Sequence, residues 1–356
     1  MATTPTHDVL LAGPTFFDLV LGGLDASPAP GTEVFASHLD TSPGGIANLA
    51  VATARLGLRT ALATALGDDV HGRWCRSVLA DVEGIDLAPG TVAPGWATPL
   101  TVSIAHDGDR AMVTREDLAP PFDPLASGAR ARAILADLPA LRRADAAART
   151  DAGGDAWWRR AVRDGARVFA DAGWDPAGTW DAALLDPLDA CFAFTPNERE
   201  AAAYTREDSP ERAARVLAER VPLVVVTRGA AGAFAIDAAT GETADVPGVV
   251  VDARDTTGAG DVLQAALAFG VLRELSLADA VAFAVLCSAL SVEQLGGATA
   301  SPCWGDIADW RAAHADPRYG FVDDLLADIP RPLPHRADRR FPFARFGAEA
   351  HTLRGT

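Results

Sequence analysis

Short apolar runs alternate with amphipathic stretches along most of the chain. Runs rich in Val, Leu, Ile and Phe predict strands, and apolar residues that recur every three or four positions predict helices. Strands are predicted at residues 8–12, 16–20, 33–39, 60–66, 167–170, 191–195 and 223–227, with a further β-rich run at 249–251. Helices are predicted at residues 46–56, 70–82, 178–186, 197–203, 209–219, 258–273 and 276–292. Repeated strand–helix units predict the α/β class, with a doubly wound, mainly parallel sheet flanked by helices.

Turn signals add two β-hairpins to this pattern. An Asp-Gly pair at 107–108 separates the runs 100–105 and 110–114, and a second hairpin is predicted from 232–237 and 242–246. The early strands and the first hairpin predict a small β-sheet lid over a cleft, near residues 13–40 and 96–115. Ser42-Pro43-Gly44-Gly45 predicts a turn. Residues 116–165 predict helices and loops around one weak strand.

The composition of the chain argues against several classes of function. The chain has 356 residues, 49% of them hydrophobic, and a net charge of −17. This acidity argues against a nucleic-acid partner, because binding to the phosphate backbone needs clustered positive charge. All 31 basic residues are Arg, which excludes a Walker A loop, a protein kinase and a Schiff-base enzyme, since each needs a Lys. Phosphate chemistry would have to use backbone amides, Arg or a metal.

The remaining bulk features predict a cytoplasmic protein. The four cysteines are far apart and form no CxxC pair, so neither a zinc site nor a disulfide framework is predicted. The first residues lack the basic start and the long apolar core of a signal peptide. The apolar stretches are too short or too interrupted to cross a bilayer, so we expect no membrane partner.

The segment 254–261, RDTTGAGD, is the strongest candidate for chemistry. It links a β-rich run to an apolar helix, and free N–H groups at such a helix start form an anion site. Gly258 and Gly260 allow a charged group to approach the backbone. Asp261 would lie beside a bound phosphate, where it can take a proton from an attacking hydroxyl. The alternative is that Asp261 only complements the helix dipole.

Three further segments are candidate binding loops, and each also has a purely structural interpretation. Gly44, Gly45 and Asn48 precede or open a helix and suit a hydroxylated ligand, or they form only a turn. Asn197 and Glu200 share one helix face and suit hydrated Mg²⁺, or they cap a helix. The loop after the strand 223–227 suits a ligand at a strand end, or it is a hairpin turn.

The order of these segments resembles a known family. PGGIANLAVATARLG, TPNERE, VTRGAAGAF and DTTGAGDVLQAAL follow one another as in the ribokinase-like (PfkB) carbohydrate kinases. GDDVHGRWCRSVLADVEGIDL and the late Gly-Gly-Ala-Thr at 296–299 also resemble family elements, and the resemblance covers roughly residues 8 to 315. It implies transfer of the ATP γ-phosphoryl group to a sugar or nucleoside hydroxyl, with a ribokinase-like fold and a lid often shared in a homodimer.

The resemblance also implies roles for individual residues. Asp261 matches the catalytic base, and the amides of Gly258, Ala259 and Gly260 match the anion hole. Asn197 and Glu200 match the element that arranges Mg²⁺, and Asp255 and Thr257 match the place where some members bind K⁺. The substrate-binding positions are Asp18, Gly44, Gly45 and Asn48, and the nucleotide-binding positions are Thr227, Gly229 and Gly232. Two departures are Arg254, which either reaches a phosphate or points to solvent, and the bulky pair Val262-Leu263 after the base.

The substrate is left open between classes. The Gly-Gly segment carries Ile46 and Ala47 and no basic residue, which favours a small neutral carbohydrate. Arg110 and Arg115 in the lid hairpin leave room for a sugar acid or sugar phosphate. A nucleoside kinase would need an apolar shelf, for which Phe16, Phe17, Phe35 and Trp96 are candidates. A non-catalytic ligand-binding or regulatory relative is the third alternative, but such a protein needs no general base.

The chain ends in a segment of different composition. We expect a kinase domain over residues 1–318 and a C-terminal extension over 319–356. The Pro- and Arg-rich extension predicts loose packing, with partner docking or oligomer stabilisation as the alternative.

Overall fold

The computed structural model describes residues 5–106, 109–150, 154–173 and 178–339. In chain order, its strands are β1 His7–Ala12, β2 Thr15–Leu24, β3 Ala36–Gly45, β4 Thr60–Ala63, β5 Ala65–Gly67, β6 Thr91–Ala93, β7 Leu100–His106, β8 Asp109–Arg115, β9 Ala131–Asp137, β10 Arg167–Asp171, β11 Ala193–Phe194, β12 Leu223–Thr227, β13 Ala233–Asp237 and β14 Thr243–Val246. Its α-helices are α1 Ile46–Arg55, α2 Val70–Ser77, α3 Leu138–Thr150, α4 Trp157–Arg163, α5 Glu198–Thr205, α6 Pro210–Leu217, α7 Ala259–Leu272, α8 Leu277–Ser291, α9 Gly297–Ala300, α10 Trp304–Ala313 and α11 Phe321–Ala327.

The main sheet has eight strands in the order β14-β13-β12-β11-β10-β9-β1-β4. Pairing is parallel from β12 through to β4, and only β13 and β14 run antiparallel to their neighbours. The strand order runs outward in both directions from β1 and β9, as in doubly wound folds. The predicted doubly wound, mainly parallel α/β fold is therefore confirmed.

Helices cover both faces of this sheet. Along β9, Ile134 and Leu135 are both fully buried but belong to different cores, because successive side chains of a strand point to opposite faces. Leu135 lies in the core that contains α1, α7 and α8. Ile134 lies in the core that contains Trp158 of α4 and Leu217 of α6. Strands with two buried faces explain the continuous apolar runs in the sequence.

A separate sheet with the order β3-β2-β7-β8 forms what we call the lid sheet. One face of it packs on α2, where Phe17 and Leu100 meet Trp74, Cys75 and Val78. β5 and β6 form a third, two-stranded sheet. The lid segments predicted near 13–40 and 96–115 thus supply an independent sheet, although the turn at 107–108 lies outside the described residues.

Several predicted strand boundaries are wrong at the lid. The strand expected at 33–39 occupies Ala36–Gly45, so Ser42–Gly45 continues a strand and is not a turn. Gly44 pairs with Phe16 and Gly45 with Thr15, and this cross-strand pairing overrides the local Pro-Gly-Gly signal. The strand expected at 60–66 divides after Ala63, because its two halves join different sheets.

Other corrections concern elements whose tertiary contacts differ from their local pattern. The apolar run 249–251 forms no strand in the described chain, and Val250 is 95% exposed. The helix expected at 178–186 is a 3-10 helix at Ala182–Ala190, which contains Pro187. The weak strand expected within 116–165 is β9, which lies in the middle of the main sheet.

The described part of the C-terminal extension is packed, so the prediction of loose packing is wrong for residues 319–339. Tyr319 and Val322 are fully buried in the core that contains α7 and α8. Farther along, the Pro334 carbonyl accepts a 2.8 Å hydrogen bond from the Gly305 N–H. These contacts join the segment to the preceding domain.

Candidate functional site

Polar residues end several parallel strands at one edge of the main sheet. Asp137 ends β9, Asp171 ends β10 and Thr227 ends β12. The carboxyl ends of parallel strands are where α/β sheets bind ligands. Asp261, in the first turn of α7, lies close enough for its charge to act on Asp171. The predicted turn at 254–261 therefore opens onto this edge.

Asn48 and Asp261 meet where α1 packs against α7. Asn48 is 8% exposed, and its Nδ2 donates to Asp261 Oδ2 over 3.1 Å. The Asn48 Oδ1 is buried and accepts no hydrogen bond from the described residues. A buried unsatisfied acceptor costs about 1–3 kcal/mol. The pair is therefore suited to a ligand with several hydroxyls, one of which can donate to Asn48 Oδ1 while another donates to Asp261.

Burial and charge set the state of the Asp261 carboxyl. Burial raises the pKa of Asp261 to about 6, the Asn48 hydrogen bond opposes the rise, and the Asp137 charge adds to it. A pKa just below neutral keeps this group ionised at pH 7 and still basic enough to accept a proton. The helix dipole of α7 is a further stabilising influence on the charge.

The turn before α7 depends on its glycines. Gly258 has φ 75°, and a Cβ there would lie 3.2 Å from the Gly297 Cα. At Gly260, a Cβ would meet no atom of the described residues within 4 Å, apart from its chain neighbours and the backbone of its own helix. The first-turn N–H groups of a helix lack intrahelical partners, so this open space is suited to an anion. The Ala259 N–H makes a long 3.3 Å bond to the Thr256 carbonyl.

The lid sheet contributes Asp18 beside Gly44. A Cβ on Gly44 would lie 1.8 Å from Asp18 Oδ2, so the absence of a side chain lets the carboxylate sit over the neighbouring strand. Burial raises the pKa of Asp18 to about 7, and a hydrogen bond from the Thr101 hydroxyl opposes this rise. Gly45, with φ 62°, begins α1 and leads directly to Asn48. The four predicted substrate positions thus lie on one continuous path from the lid sheet to α1.

Asn197 and Glu200 form a capping box at the start of α5. The Glu200 N–H donates to Asn197 Oδ1 over 3.0 Å, and the Asn197 N–H donates to Glu200 Oε2 over 2.8 Å. The two residues therefore cap a helix, as the structural interpretation of the sequence expects. The capping box uses one Glu200 oxygen and leaves the other for a ligand, since a carboxylate has two oxygens.

Asp171 is a site residue that the sequence reasoning missed. Its pKa is raised well above the usual range by burial and then by the charges of Glu200, Asp261 and Asp137. Burial also raises the pKa of Glu200. Carboxylates held this close without a basic partner among the described ion pairs are the arrangement that a hard cation relieves.

Asp137 is, after Asp171, a second carboxylate at this edge that the sequence reasoning missed. Each is a carboxylate at the end of an apolar run, in ARAILAD and RVFAD. This position in the sequence signals a residue at the carboxyl edge of the sheet. The signal is present at Asp137, but the Ala- and Arg-rich surroundings of β9 predict only a weak strand there.

The loop after β12 adjoins the start of α5. The Thr227 N–H donates to the Pro196 carbonyl over 3.0 Å, which joins this loop to the Asn197 turn. Gly229 has φ 55° and is exposed. Gly232 has φ 94°, and a Cβ there would lie 2.0 Å from the Val246 carbonyl oxygen. Gly232 is therefore required by the hairpin itself.

Asp255 and Thr257 are held inside their own turn. Asp255 Oδ1 accepts from the Thr257 N–H at 2.9 Å and from its hydroxyl at 2.5 Å. Asp255 Oδ2 accepts from the Gly296 N–H at 2.9 Å. The turn at 254–261 is thereby tied to the Gly-Gly segment that opens α9. Arg254 is exposed, while Val262 and Leu263 are buried in the core.

The aromatic candidates for a base shelf have other positions. Phe17 packs edge-on to Trp74 in the lid core, with ring centroids 5.0 Å apart. Phe35 is 59% exposed. Phe16 is partly buried and lies against Gly45. Arg115 pairs with Asp117 at the surface, and the Arg110 side chain lies outside the described residues.

Metal clusters and membrane spans are both missing from the described residues. No group of three or more His, Cys, Asp or Glu side chains is arranged to hold a metal ion there. No helix in those ranges has the length and apolar character needed to cross a bilayer.

Comparisons with known proteins show the family and the fold of this chain. A family model described as pfkB family carbohydrate kinase matches residues 21–304. Ribokinase of Haemophilus influenzae is 28% identical over 77% of this chain and 88% of its own length. Arabidopsis thaliana ribokinase complexed with ribose and ATP has a TM-score of 0.67 at 21% identity, over 85% of this chain and 98% of that one.

A second solved structure is similar in fold. A putative ribokinase II of E. coli in complex with ATP and Mg²⁺ has a TM-score of 0.70 at 20% identity, over 86% of this chain and 99% of that chain. At such identities the structural likeness shows the fold alone. The family model covers most of the chain and shows the family. The chain belongs to the pfkB family of carbohydrate kinases, and it is a phosphotransferase that acts on a sugar hydroxyl.

Proposed function

We propose that this protein transfers the γ-phosphoryl group of ATP to a hydroxyl of a small neutral carbohydrate. Asp261 is the general base, and the amides of Gly258, Ala259 and Gly260 form the anion hole. The observation that carries the proposal is the pairing of Asp261 with Asn48 directly beside the open N-terminus of α7. A base and an anion site within one turn of helix are what phosphoryl transfer needs.

Asp261 accepts the proton of the attacking hydroxyl. Its pKa of about 6 leaves it ionised at neutral pH, and the Asn48 amide fixes one carboxylate oxygen. The second oxygen then takes the proton. General acid–base catalysis by a positioned group contributes about 10²–10⁴-fold in rate.

The backbone at 258–260 stabilises the charge on the transferring phosphoryl group. Such groups act through positioning and preorganised dipoles, which suits a chain without Lys. Gly260 leaves the space above the helix N-terminus open. Gly258, with φ 75°, turns the chain immediately before the first N–H groups of α7.

The charges around the site support the proposal of a neutral substrate. Asp18, Asp137 and Asp261 are acidic, and Asn48 offers an unsatisfied buried acceptor. An anionic sugar would meet repulsion from these carboxylates, and no basic side chain is among the groups that shift the pKa of Asp18 or Asp261. Hydroxyls, by contrast, can donate to every one of them. Asp18 with Gly44 and Gly45 is proposed to bind the sugar from the lid side.

Mg²⁺ fits the acidic edge formed by Asp171 and Glu200. Two half-buried carboxylates with raised pKa values are hard oxygen donors, and Mg²⁺ keeps much of its water, so few protein ligands suffice. When bound, the ion neutralises charge on the phosphates. Asn197 positions Glu200 through the capping box. We propose Asn197, Glu200 and Asp171 as the residues that arrange the metal.

The nucleotide is proposed to lie along Thr227, Gly229 and Gly232. This loop is hydrogen-bonded to the Asn197 turn, so phosphates near Glu200 continue toward it. Asp255 and Thr257 are proposed to adjoin a K⁺ site. Their internal hydrogen bonds give the turn a defined shape, and carbonyl oxygens of the same turn are suitable ligands for such an ion.

The proposal extends to the oligomeric state of the protein and to its place in the cell. Leu39 and Val113 of the lid sheet are 61% and 65% exposed, which supports a homodimer through the lid. Size-exclusion chromatography with light scattering tests this, and a monomer at high concentration would reject it. We also keep the expectation of a cytoplasmic protein with a single kinase domain over residues 1–318.

The test is a phosphorylation screen with purified protein. ATP consumption is followed across neutral sugars, sugar acids, sugar phosphates and nucleosides, with and without K⁺, beside the Asp261→Asn variant. We expect turnover with a neutral sugar and its loss in Asp261→Asn, while ATP binding is nearly unchanged. Turnover only with nucleosides supports the nucleoside kinase alternative, and ligand binding without ATP consumption supports the regulatory one. An Asp261→Asn variant with near-normal turnover removes Asp261 from its role.

A further inference from the structure

Arg336 lies beyond the part of the chain that the family model matches, yet its guanidinium is inserted between elements of the kinase domain. Its side chain is only 14% exposed. Nη1 donates to the Leu290 carbonyl over 2.7 Å and to the Ala300 carbonyl over 3.0 Å. Leu290 is in the last turn of α8, and Ala300 is the last residue of α9. One nitrogen therefore holds both ends of the segment 291–299, which runs from the last residue of α8 into α9 and which we call the bracket loop.

The bracket loop is hydrogen-bonded to the turn 254–261, which carries the proposed anion hole. The Val292 carbonyl accepts from the N–H groups of Arg254 and Asp255 at 2.7 and 3.1 Å. The Gly296 N–H donates back to Asp255 Oδ2. Any displacement of the loop is therefore transmitted to the turn that carries the anion hole.

Gly297 of the bracket loop touches both halves of the site. A Cβ on Gly258 would lie 3.2 Å from the Gly297 Cα, so the two backbones are in direct contact. A Cβ on Gly297 would lie 2.6 Å from Asn48 Oδ1. The position of this one glycine thus limits where the anion hole and the partner of Asp261 can lie.

Arg336 is itself held in place by acidic groups. The backbone N–H of Arg336 donates to Asp306 Oδ2 over 3.0 Å, and the side-chain Nε lies 3.5 Å from Asp306 Oδ1. Asp306 also accepts from the Cys303 N–H at 2.8 Å. Glu293, within the bracket loop, lies 3.8 Å from Nη2. A rigid, planar group with several donors can satisfy two carbonyls and a carboxylate together.

A second arginine supports the same region from another side. Arg55 Nη1 donates to the Thr299 and Ser301 carbonyls at 2.9 and 2.6 Å, and its side chain is fully buried with Glu83. Arg55 cannot replace Arg336, because its bonds to this region reach the α9 end of the loop and not α8. Arg336 joins the α9 end to α8.

We infer that Arg336 is a positioning residue for phosphoryl transfer, which acts by fixing the bracket loop against the 254–261 turn. The inference rests on the proposed function of that turn. Arg336 touches no reacting atom. It makes the C-terminal extension a working part of the kinase site and not an appendage.

The experiment compares full-length Arg336→Ala with Arg311→Ala. Arg311 is a matched control, because its side chain is about as exposed as that of Arg336, pairs with Asp323 in the same region and makes no described hydrogen bond to the bracket loop. We expect Arg336→Ala to lower kcat on the order of ten- to a hundredfold with small changes in both KM values, since misplaced catalytic groups cost rate and not ground-state binding. Assays run well below each melting midpoint, so that both variants stay folded.

A structural role alone predicts a different result. It would lower the melting midpoint of both variants and leave kcat per folded enzyme near wild type. Added methylguanidinium is expected to restore part of the Arg336→Ala activity and none of any Arg311→Ala deficit. If Arg336→Ala does not fold, Arg336→Lys keeps the charge but lacks the planar fork, and a partial loss of kcat is expected.

Hydrogen exchange separates this inference from the proposed function. In Arg336→Ala, peptides covering 254–261 and 291–300 are expected to exchange faster than in wild type, with no such change in Arg311→Ala. Unchanged exchange at 254–261 together with wild-type kcat would overturn the inference. A wild-type protein without any phosphoryl transfer would reject the proposed function, and the exchange comparison would still decide whether Arg336 holds the turn.

Discussion

Asn48 Nδ2 donates a 3.1 Å hydrogen bond to Asp261 Oδ2, although 213 positions separate the two residues in the chain. α1 brings one and α7 the other, and both helices pack on the same face of the main sheet. The bond joins the proposed sugar site to the proposed base, so a change at either residue should alter both binding and rate.

Asn48→Ala is expected to weaken sugar binding and to raise the pKa of Asp261. The substitution removes both a buried hydroxyl acceptor and the hydrogen bond that lowers the pKa of Asp261. KM for the sugar should rise on the order of tenfold or more, and the acid limb of kcat/KM should move to higher pH. Thr53→Ala is the control on α1, because the Thr53 hydroxyl donates to carbonyls within the helix. An unchanged sugar KM in Asn48→Ala would place the sugar elsewhere.

Gly260→Ala is expected to separate stability from activity. A Cβ at Gly260 meets no described atom within 4 Å outside its chain neighbours and its own helix backbone, and alanine favours a helix by about 1 kcal/mol over glycine. Thermal unfolding should therefore occur at the same temperature as in wild type or slightly higher. Activity should fall, since the methyl group enters the space proposed for the phosphoryl group.

Gly258→Ala is the comparison for that experiment. Its φ of 75° and its contact with Gly297 should cost both stability and activity. Full activity of Gly260→Ala would show that no phosphoryl group passes over the α7 N-terminus.

Glu200→Gln and Asp171→Asn are expected to shift the Mg²⁺ dependence of activity. Each replaces a carboxylate of the half-buried acidic edge with an amide, which is a weaker ligand for Mg²⁺, so half-maximal activity should require on the order of tenfold more Mg²⁺. Glu198→Gln, on an exposed residue of the same first turn of α5, should leave the titration unchanged. Superimposable Mg²⁺ titrations for all three variants and wild type would contradict the metal assignment.

The pH profile of kcat/KM should show an acid limb. Asp261 must be ionised to accept a proton, so activity is lost as pH falls through its pKa of about 6. Asp18, with a pKa of about 7, is proposed to accept from the sugar in its ionised form and should steepen the limb. In Asp18→Asn the limb should become a single ionisation near the Asp261 pKa of about 6, at a lower plateau. A rate that stays constant from about pH 8 to about pH 5 would exclude a carboxylate base with this pKa.

The sequence alone predicted the class of fold well, and the reason is visible in β1, β10 and β12. These strands are buried on both faces, and such burial produces the apolar runs that predict strands. It failed at Ser42–Gly45, where Pro and Gly indicate a turn but pairing with β2 keeps the chain extended. It also failed at 249–251, where an apolar run finds no strand to pair with among the described residues.

The candidate site shows the same division. The sequence identified the candidate residues from two short patterns, the spacing of glycine and aspartate in DTTGAGD and the Asn-x-x-Glu at the start of α5. Each pattern depends on the backbone geometry of a single short segment. Asp171 and Asp137 were missed, since a single carboxylate after a strand is distinguished only by the other carboxylates that the fold places beside it. The packing of Arg336 was equally hidden, because its partners include carbonyls, which every residue has.

The sequence by itself determined the family, the glycine turn at 258–260 and the absence of Lys chemistry, since each depends on residue identity in a short segment. The tertiary structure alone decided that Asn48 meets Asp261, that Asp171 lies near Glu200 and Asp261, and that Arg336 brackets the loop behind the proposed anion hole. The physical reason is that distances between atoms far apart in sequence depend on how helices and strands pack. Those distances set the pKa values and hydrogen bonds on which the proposed chemistry depends.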